Sequence, residues 1–316
     1  MKHDAAGSAL TPFHRNGRDA EALIFDIQRF SLHDGPGVRT TVFFKGCSLA
    51  CRWCQNPESH RLLPEMAFYT HKCLGCFQCE QVCPLGAIVR GGPTRVDFTR
   101  CDACGRCAEA CSAGALRTIG ARWSVQALAD ELLRDQDFFT GGGGVTLSGG
   151  EPMLHADYIV RLVGLLKSRG VHVVMETAGH VSPADFDRVA GLVDLFYFDL
   201  KLADAARHRL FTGATNELLL KNFHGLVRGG CAVQPRMPVV PGINDDEENI
   251  RATARIIRDA GLSSIHCLPW HGMGDAKLAR IDAPRERVDA VAPGPDLMEA
   301  VKRIFAREGI DAVIYQ

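Results

Sequence analysis

Cysteine spacing is the feature that most constrains this chain. All but two of its 13 cysteines fall into three tight groups between Cys47 and Cys111. The first group places Cys47, Cys51 and Cys54 on one short loop, with three and then two residues between the thiols. Three thiolates can bind three irons of a cubane iron–sulfur cluster and leave the fourth iron without a protein ligand. Because an open coordination position marks a reactive metal site, we expect a small molecule to complete the shell. A zinc knuckle and three unrelated core thiols are the alternatives.

The second and third groups repeat one spacing. Each contains four cysteines separated by two, two and three residues. Bacterial two-cluster ferredoxins have this spacing, and the fourth cysteine of each run binds the other cluster. We therefore predict two [4Fe–4S] clusters with exchanged fourth ligands. One set is Cys73, Cys76, Cys79 and Cys111, and the other is Cys101, Cys104, Cys107 and Cys83. Two zinc ribbons are the alternative.

Composition limits the class of protein. The 316 residues are 46% hydrophobic, enough for one large α/β domain and a smaller one. The net charge of −1 argues against a nucleic-acid partner, since phosphate binding needs concentrated Lys and Arg. No apolar run has the length of a membrane span, and we see no signal peptide. We expect a cytoplasmic protein without a membrane partner, in which thiols stay reduced. The remaining cysteines, Cys231 and Cys267, are expected to be buried structural thiols.

Strand-like and helix-like segments alternate after the cysteine-rich region, in about six strand–helix units. Polar or glycine-rich motifs repeatedly follow the strands. A parallel barrel, or part of one, is the economical solution. A doubly wound sheet is the alternative, although no Gly-x-Gly-x-x-Gly follows the first strand. We predict a mobile tail over residues 1–20, a barrel over residues 21–62 and 119–316, and a two-cluster insert over residues 63–118.

One post-strand motif, Gly149-Gly150-Glu151, has a composition suited to binding a ligand. Two glycines allow a ligand to approach bare backbone, and a carboxylate can pair with an ammonium group. Taken alone, the motif is only a turn. Its combination with the three-cysteine loop is more specific.

This combination resembles the radical S-adenosylmethionine (SAM) superfamily. Further motifs narrow the resemblance to the activating enzymes of glycyl radical enzymes, in the subgroup that has a two-cluster ferredoxin insert. The similarity extends from about Ile24 to Gly274. The motifs that carry it are Asp34-Gly-Pro-Gly-Val-Arg39, Gly-Val-Thr-Leu-Ser-Gly-Gly-Glu-Pro, Asp199-Leu-Lys201, Val240-Pro-Gly-Ile-Asn-Asp245 and Leu268-Pro-Trp-His271.

The resemblance implies a partial parallel (β/α)6 TIM-like barrel with an inserted ferredoxin-like α+β domain. It also implies an oxygen-sensitive oxidoreductase with three [4Fe–4S] clusters and SAM. In this family one electron splits SAM into methionine and a 5′-deoxyadenosyl radical, which removes a hydrogen from a glycine α-carbon of a partner glycyl radical enzyme. An external low-potential donor, such as flavodoxin or ferredoxin, would supply the electron.

The resemblance further implies roles for individual residues. The adenine would lie near Trp53, Cys54 and Gln55. The methionyl end would lie against Gly149, Gly150 and Glu151. The rest of the cofactor would contact Asp199, Lys201, Arg236 and His271. A monovalent cation would bind Glu176, Thr177 and Asp199, with Glu176 in place of the aspartate of the family pattern.

Several alternatives stay open. Arg236 and Lys201 can be ion-pair residues at the barrel mouth, and His271 can be a structural histidine. Met153 and Trp270 are expected to be packing residues. A radical SAM enzyme acting on a small molecule or peptide is the second functional hypothesis, and a ferredoxin-type electron carrier is the third. The insert would either relay electrons or shape a docking surface.

Overall fold

The computed structural model describes residues 21–91, 94–281 and 286–315. The predicted tail over residues 1–20 lies outside the described residues. The strands are β1 (Glu21–Ser31), β2 (Arg39–Phe44), β3 (Glu65–Phe68), β4 (Leu116–Ile119), β5 (Ala121–Ser124), β6 (Gly144–Gly149), β7 (His172–Thr177), β8 (Leu195–Asp199), β9 (Val233–Val239), β10 (Ser264–Pro269) and β11 (Asp311–Ile314). The α-helices are α1 (Gln78–Gln81), α2 (Arg106–Glu109), α3 (Val125–Leu133), α4 (Ala156–Ser168), α5 (Pro183–Val189), α6 (Ala205–Thr212), α7 (Glu217–Arg228), α8 (Glu247–Asp259), α9 (Met273–Leu278) and α10 (Pro295–Arg307).

The main sheet has nine strands in the order β11–β10–β9–β8–β7–β6–β2–β1–β5. Strands β2 and β6 to β11 are parallel, whereas β1 is antiparallel to both β2 and β5. From β6 to β11 the order follows the chain without reversal, as in a barrel and unlike a doubly wound sheet. The predicted α/β class with a parallel, barrel-type sheet is confirmed. Within the described residues no ladder joins β11 to β5, so the sheet is open on one side.

Local sequence explains why these elements form. The parallel strands are short apolar runs rich in β-branched and aromatic residues, which fit a pleated, buried surface. Residues 173–175 of β7 are all buried, as expected for a strand covered on both faces. In α8 the buried side chains Ile250, Ala254 and Ile257 recur at helical spacing and face the core. The helices therefore cover one face of the sheet with their apolar sides.

A smaller antiparallel sheet, β3 with β4, lies between β2 and β5 in the chain. Together with α1 and α2 it surrounds an apolar core of its own, formed by Met66, Phe68, Ile88, Val96 and Leu116. Most cysteines of the second and third groups pack against this core. These elements extend from Glu65 to Ile119, one residue beyond the insert predicted over residues 63–118.

One buried ion pair and one backbone hydrogen bond join this smaller unit to the rest of the chain. Lys45 directly follows β2, and its Nζ lies 2.6 Å from Oε1 of Glu65 at the start of β3, with both side chains almost fully buried. Burial lowers the pKa of Lys45, and the charge of Glu65 opposes that shift. In the second contact, the Phe68 amide donates to the Arg280 carbonyl over 2.9 Å. The first strand of the smaller sheet is thus held at both of its ends.

Candidate active site and cluster-binding loops

The three-cysteine loop begins where β2 ends, at the carboxyl end of the parallel strands, where barrel enzymes place their chemistry. Gly46 has a φ of +100°, which favours glycine. Its carbonyl accepts a hydrogen bond from the Glu151 amide over 2.7 Å. A Cβ on Gly150 would lie 2.1 Å from the same carbonyl oxygen, so only glycine permits this approach. The cysteine loop and the Gly149-Gly150-Glu151 motif are therefore in direct backbone contact.

The thiols of this loop lie in an apolar cluster. Cys51 is buried, and Cys47 and Cys54 are half-buried beside it. Burial, followed by the neighbouring Cys51, raises the pKa of Cys47, although the Leu49 amide donates to Cys47 Sγ over 3.4 Å. An isolated thiolate is disfavoured in such surroundings, whereas a bound metal centre deprotonates its thiols outright. The loop therefore has the chemistry of a cluster-binding loop.

Glu151 is fully buried and links two strand ends. Its carboxylate accepts from Thr177 Oγ1 over 2.8 Å, from the Ala178 amide over 2.9 Å and from the Met153 amide over 3.2 Å. Burial raises the pKa of Glu151 to about 7, and these hydrogen bonds act in the opposite direction. About three of its four lone-pair positions are used by protein donors. The geometry supports a positioning role, and the expected contact with an ammonium group stays a prediction.

Charged side chains at the ends of β7, β8 and β9 form a partly buried network. Glu176 pairs with Arg236 and accepts a hydrogen bond from Ser148. Lys201 Nζ lies 2.7 Å from Asp199 Oδ2. Burial opposes the charge of Lys201, but Asp199 and the thiols of the cysteine loop raise its pKa. The ion pairs that formed the alternative interpretation of Arg236 and Lys201 are present, and they lie beside the cysteine loop.

Some buried donors in this region retain hydrogen-bonding capacity. Within the described residues, Arg236 Nε and His271 Nδ1 are buried and have no hydrogen-bond partner. The nearest carboxylate oxygen to Arg236 Nε, from Asp199, is 4.0 Å away. Buried polar atoms are normally satisfied, so these two atoms are suited to a polar ligand. Both residues belong to the predicted SAM contacts.

The end of the cysteine loop is held by two tryptophans. Trp53 is buried, with its ring centroid 6.1 Å from that of Phe211. Trp270 Nε1 donates to the Trp53 carbonyl over 3.2 Å, as expected for a packing residue. Gly274 approaches the Cys54 carbonyl so closely that a Cβ would lie 2.3 Å from its oxygen. The segment through the half-buried Gln55 is thus fixed by residues more than 200 positions away.

Two cavities in the smaller unit are each lined by one predicted ligand set. The first cavity contains Cys73, Cys76, Cys79 and Cys111. The second cavity contains Cys83, Cys101, Cys104 and Cys107. The fourth cysteine of each run therefore faces the cavity of the other run. Equivalent backbone amides, those of Ala87 and Ala115, each donate over 3.2 Å to that fourth cysteine's Sγ. The donor sets fit two cubane clusters with hydrogen-bonded sulfurs.

Comparison with known proteins identifies the family. The model of the Radical SAM superfamily matches residues 41–254, more than half of the chain. The chain is also 36% identical over 298 residues to the trans-4-hydroxy-L-proline dehydratase activating enzyme of Clostridioides difficile, covering 92% of this chain and 98% of the relative. It is 34% identical over 307 residues to the indoleacetate decarboxylase activating enzyme of Tractidigestivibacter scatoligenes, covering 93% and 97%.

The chain belongs to the glycyl radical enzyme activating enzymes of the radical SAM superfamily. It is therefore an enzyme, and the electron-carrier hypothesis is not supported. A radical SAM methyltransferase from Sphaerobacter thermophilus shares the fold, with a TM-score of 0.52 at 15% identity over 87% of this chain and 66% of that one. In the part of the activating enzyme that the structure describes, no helix has the length and apolar character to span a bilayer.

Family membership also bears on the zinc alternatives. Radical SAM enzymes have a [4Fe–4S] cluster, so membership of this family argues against a zinc knuckle at the three-cysteine loop. The zinc-ribbon alternative for the second and third groups stays open, and the two insert clusters stay a prediction.

Each residue predicted to bind a monovalent cation has another polar partner in the described part of the enzyme. Glu176 is engaged by Arg236 and Ser148, Thr177 donates to Glu151, and Asp199 accepts from Lys201. The cation site stays a prediction.

Sequence reasoning missed several residues that hold this region together. Arg39, in the Asp34–Arg39 motif, is fully buried and donates to Thr146 Oγ1 and the Val145 carbonyl, each over 2.7 Å. Lys45 was not recognised as a buried ion-pair residue. Arg95, which lines the first insert cavity, carried no sequence signal because it lies outside the cysteine runs.

Proposed function

We propose that this activating enzyme holds three [4Fe–4S] clusters and uses the one bound by Cys47, Cys51 and Cys54 to activate SAM. When bound, that cluster supplies the electron that splits the sulfonium C–S bond of SAM into methionine and a deoxyadenosyl radical. A glycine α-carbon of the partner would lose one hydrogen atom, and that atom would leave in 5′-deoxyadenosine. The observation that carries the proposal is the 2.7 Å hydrogen bond from the Glu151 amide to the Gly46 carbonyl. This bond joins the cluster loop to the predicted methionine-binding motif.

The protein residues would bind and orient SAM and exclude water. Gly149 and Gly150 present bare backbone. Glu151 would fix its position, because its amide bonds to Gly46 and its carboxylate accepts from Thr177 and Ala178. Arg236 Nε would donate to SAM, and His271 Nδ1 would donate or accept according to its tautomer, beside the charges of Asp199 and Lys201. Trp53, Cys54 and Gln55 would line the adenine. The apolar cluster around the thiols keeps the site dry.

Residues 63–118 would form the ferredoxin-like insert, with one cluster in each cavity. We assign Cys73, Cys76, Cys79 and Cys111 to the first cluster and Cys83, Cys101, Cys104 and Cys107 to the second. Their electron would come from an external flavodoxin or ferredoxin. Because the thiols must stay reduced before cluster assembly, we place the enzyme in the cytoplasm.

The partner would be a glycyl radical enzyme. The relatives activate decarboxylases, a dehydratase, sulfite-lyases and a trimethylamine-lyase, according to their names. These partners catalyse different reactions, and the relatives have similar sequence identities to this chain. Sequence identity therefore does not indicate which partner this enzyme activates. All of the relatives are named for the enzyme that they activate, and this favours a protein substrate over a small molecule.

Anaerobic iron analysis of cysteine variants tests the proposal. The reconstituted full chain should bind about twelve irons, four for each cluster. Cys51→Ala should retain about eight irons and form no 5′-deoxyadenosine from SAM and dithionite. Cys76→Ala should also lose about four irons but keep SAM binding. Cys231→Ala is the matched control and should keep all irons and full deoxyadenosine formation. About eight irons in the wild type, or deoxyadenosine formation by Cys51→Ala, would contradict the proposal.

Partner dependence separates a protein substrate from a small molecule. The enzyme would be incubated with SAM, dithionite and each of a panel of purified glycyl radical enzymes from the classes activated by its relatives. Deoxyadenosine formation should rise with one of them, and an EPR doublet should appear in that protein. Stimulation by a small molecule with no protein radical would favour the second hypothesis.

A further inference from the structure

The two insert cavities differ in charge although their cysteines are equivalent. Of the described residues that line the first cavity, Arg95 is the only charged one. The second cavity is lined by both Asp102 and Arg106, whose charges offset one another. The lining residues therefore carry a net positive charge at the first cavity and no net charge at the second.

Arg95 is directed at the thiols of the first cavity. Its Nη2 lies 3.7 Å from Cys73 Sγ, within the range of a hydrogen bond to sulfur. Arg95 thus contacts one of the four predicted ligands directly.

Packing fixes the guanidinium in this orientation. Arg95 Cζ lies 4.5 Å from the ring centroid of Phe77 and 5.7 Å from that of Phe68. Its Nη1 donates to the Val89 carbonyl over 3.2 Å. A planar guanidinium can stack and donate at the same time, which an ammonium cannot do.

A neighbouring arginine provides an internal comparison. Arg90 also lies over Phe77, with Cζ 4.5 Å from the ring centroid. Its Nη2, however, is 2.6 Å from Glu80 Oε2, and Arg90 does not line the cavity. The charge of Arg90 is therefore neutralised by Glu80, whereas Arg95 acts on the cavity.

We infer that Arg95 is a positioning residue that raises the reduction potential of the first-cavity cluster above that of the second, so that the first-cavity cluster is reduced first. The inference rests on the proposed three-cluster function. Reduction adds one electron to a cluster, and a fixed positive charge with a hydrogen bond to a ligand sulfur stabilises the more negative product. An electron delivered to the insert by a donor then resides at the first cavity.

A redox titration of the full chain tests this inference. The Cys51→Ala background would leave only the insert clusters, which dithionite reduces and EPR detects. Two midpoint potentials are expected. Cys76→Ala should remove the higher one, and Cys104→Ala, at the equivalent exposed cysteine of the other run, should remove the lower one. Loss of the lower midpoint on Cys76→Ala would overturn the inference.

Charge removal at Arg95 is the decisive comparison. Arg95→Gln should lower the equilibrium constant for reduction of the first-cavity cluster about tenfold. This change lowers the higher midpoint potential by about 59 mV for one electron. The lower midpoint potential should not change. Arg95→Lys keeps the charge without the planar fork and should cause a smaller drop. Arg90→Gln, the matched control, should leave both midpoints unchanged.

The outcomes separate this inference from the proposed function. Two results for an Arg95→Gln protein that keeps about eight irons would overturn the role of Arg95 and leave the three-cluster proposal standing. One is a higher midpoint potential that does not change, and the other is an equal shift of both midpoint potentials. If Arg95→Gln loses iron, the comparison is made with Arg95→Lys, and an unmoved midpoint there overturns the inference. Fewer than about eight irons in the Cys51→Ala background would overturn the three-cluster proposal as well.

Discussion

At the residue scale, one buried carboxylate organises the strand ends beside the cysteine loop. Glu151 accepts hydrogen bonds from Thr177, Ala178 and Met153 through its side chain, and its own amide donates to Gly46. It therefore connects the ends of β2, β6 and β7. A residue that orders backbone in this way contributes to ligand binding even without touching the ligand.

Replacement of this carboxylate should cost both stability and SAM affinity. In Glu151→Gln only one oxygen remains as an acceptor, and the amide NH2 faces a backbone donor at the other position. An unsatisfied buried group costs about 1–3 kcal/mol. We expect the free energy of unfolding to fall by that amount and SAM to bind more weakly, as measured by urea denaturation and calorimetry. Cluster iron should be retained.

An exposed glutamate provides the control for this substitution. Glu217 lies in the first turn of α7 and is exposed, so Glu217→Gln should change stability by less than about 0.5 kcal/mol. SAM affinity equal to that of the wild type in Glu151→Gln would show that the carboxylate does not order the binding backbone.

At the residue scale, the sequence is most informative where the signal is local in the chain. The doubled ferredoxin spacing grouped the same thiols that line each cavity, and their assignment as cluster ligands stays a prediction. The pairing of Arg236 with Glu176, 60 positions apart, required the register of β7, β8 and β9. The chain predicted that both residues follow or lie in strands, but no local pattern identified their partners.

At the element scale, the short 3-10 helix Pro152–His155 connects the Glu151 motif to β2. His155 Nε2 donates to the Lys45 carbonyl over 2.8 Å, because a carbonyl can only accept. The ring also lies 5.6 Å from that of Phe44, centroid to centroid. Burial lowers the pKa of His155, and the hydrogen bond to Lys45 opposes the shift. The ring is therefore neutral in the folded protein.

This environment makes stability depend on pH with a definite sign. The pKa of His155 is lower in the folded chain than in the unfolded chain, where it is about 6.5. Below that pH the unfolded chain therefore binds more protons than the folded chain, and the free energy of unfolding decreases as the pH falls. His155→Gln keeps a donor for the Lys45 carbonyl but cannot titrate. Its stability should decline less than that of the wild type between about pH 7.5 and pH 5.5 in urea titrations. Parallel decline of the two proteins would exclude His155 as a source of acid sensitivity.

The elements differ in how well their sequence predicted them. The parallel strands could be predicted because short apolar, β-branched runs alternate along the chain with segments whose apolar residues recur at helical spacing. β1 extends over Glu21–Ser31, with an irregular register that breaks the period of two. β5 carried no signal because four residues are too few to show a period, and its pairing with β1 makes them a strand.

At the scale of the whole molecule, the class of fold followed from the alternation of strands and helices. The strand order of a barrel could be expected because consecutive parallel units pack side by side. The way in which the smaller unit attaches to the main sheet could not be predicted from the sequence. It depends on contacts between separate segments, and no periodic pattern in the sequence indicates which segments meet. Lys45 and Glu65 are 20 positions apart, and their pairing decides how β3 lies against the end of β2.

The Lys45–Glu65 pair should therefore couple the smaller unit to the main sheet. Glu65→Gln leaves a buried ammonium without its counter-charge and should lower the free energy of unfolding by about 3–5 kcal/mol. Lys45→Met combined with Glu65→Leu should recover most of that loss, because burying an apolar pair does not require the desolvation of charges. Urea denaturation of Lys45→Met, Glu65→Leu and the double variant, each compared with the wild type, measures the coupling energy. Arg90→Gln with Glu80→Gln, at an exposed pair, should show less than about 1 kcal/mol. Additive effects at Lys45 and Glu65 would mean that the two units are held together by other contacts, such as the hydrogen bond between Phe68 and Arg280.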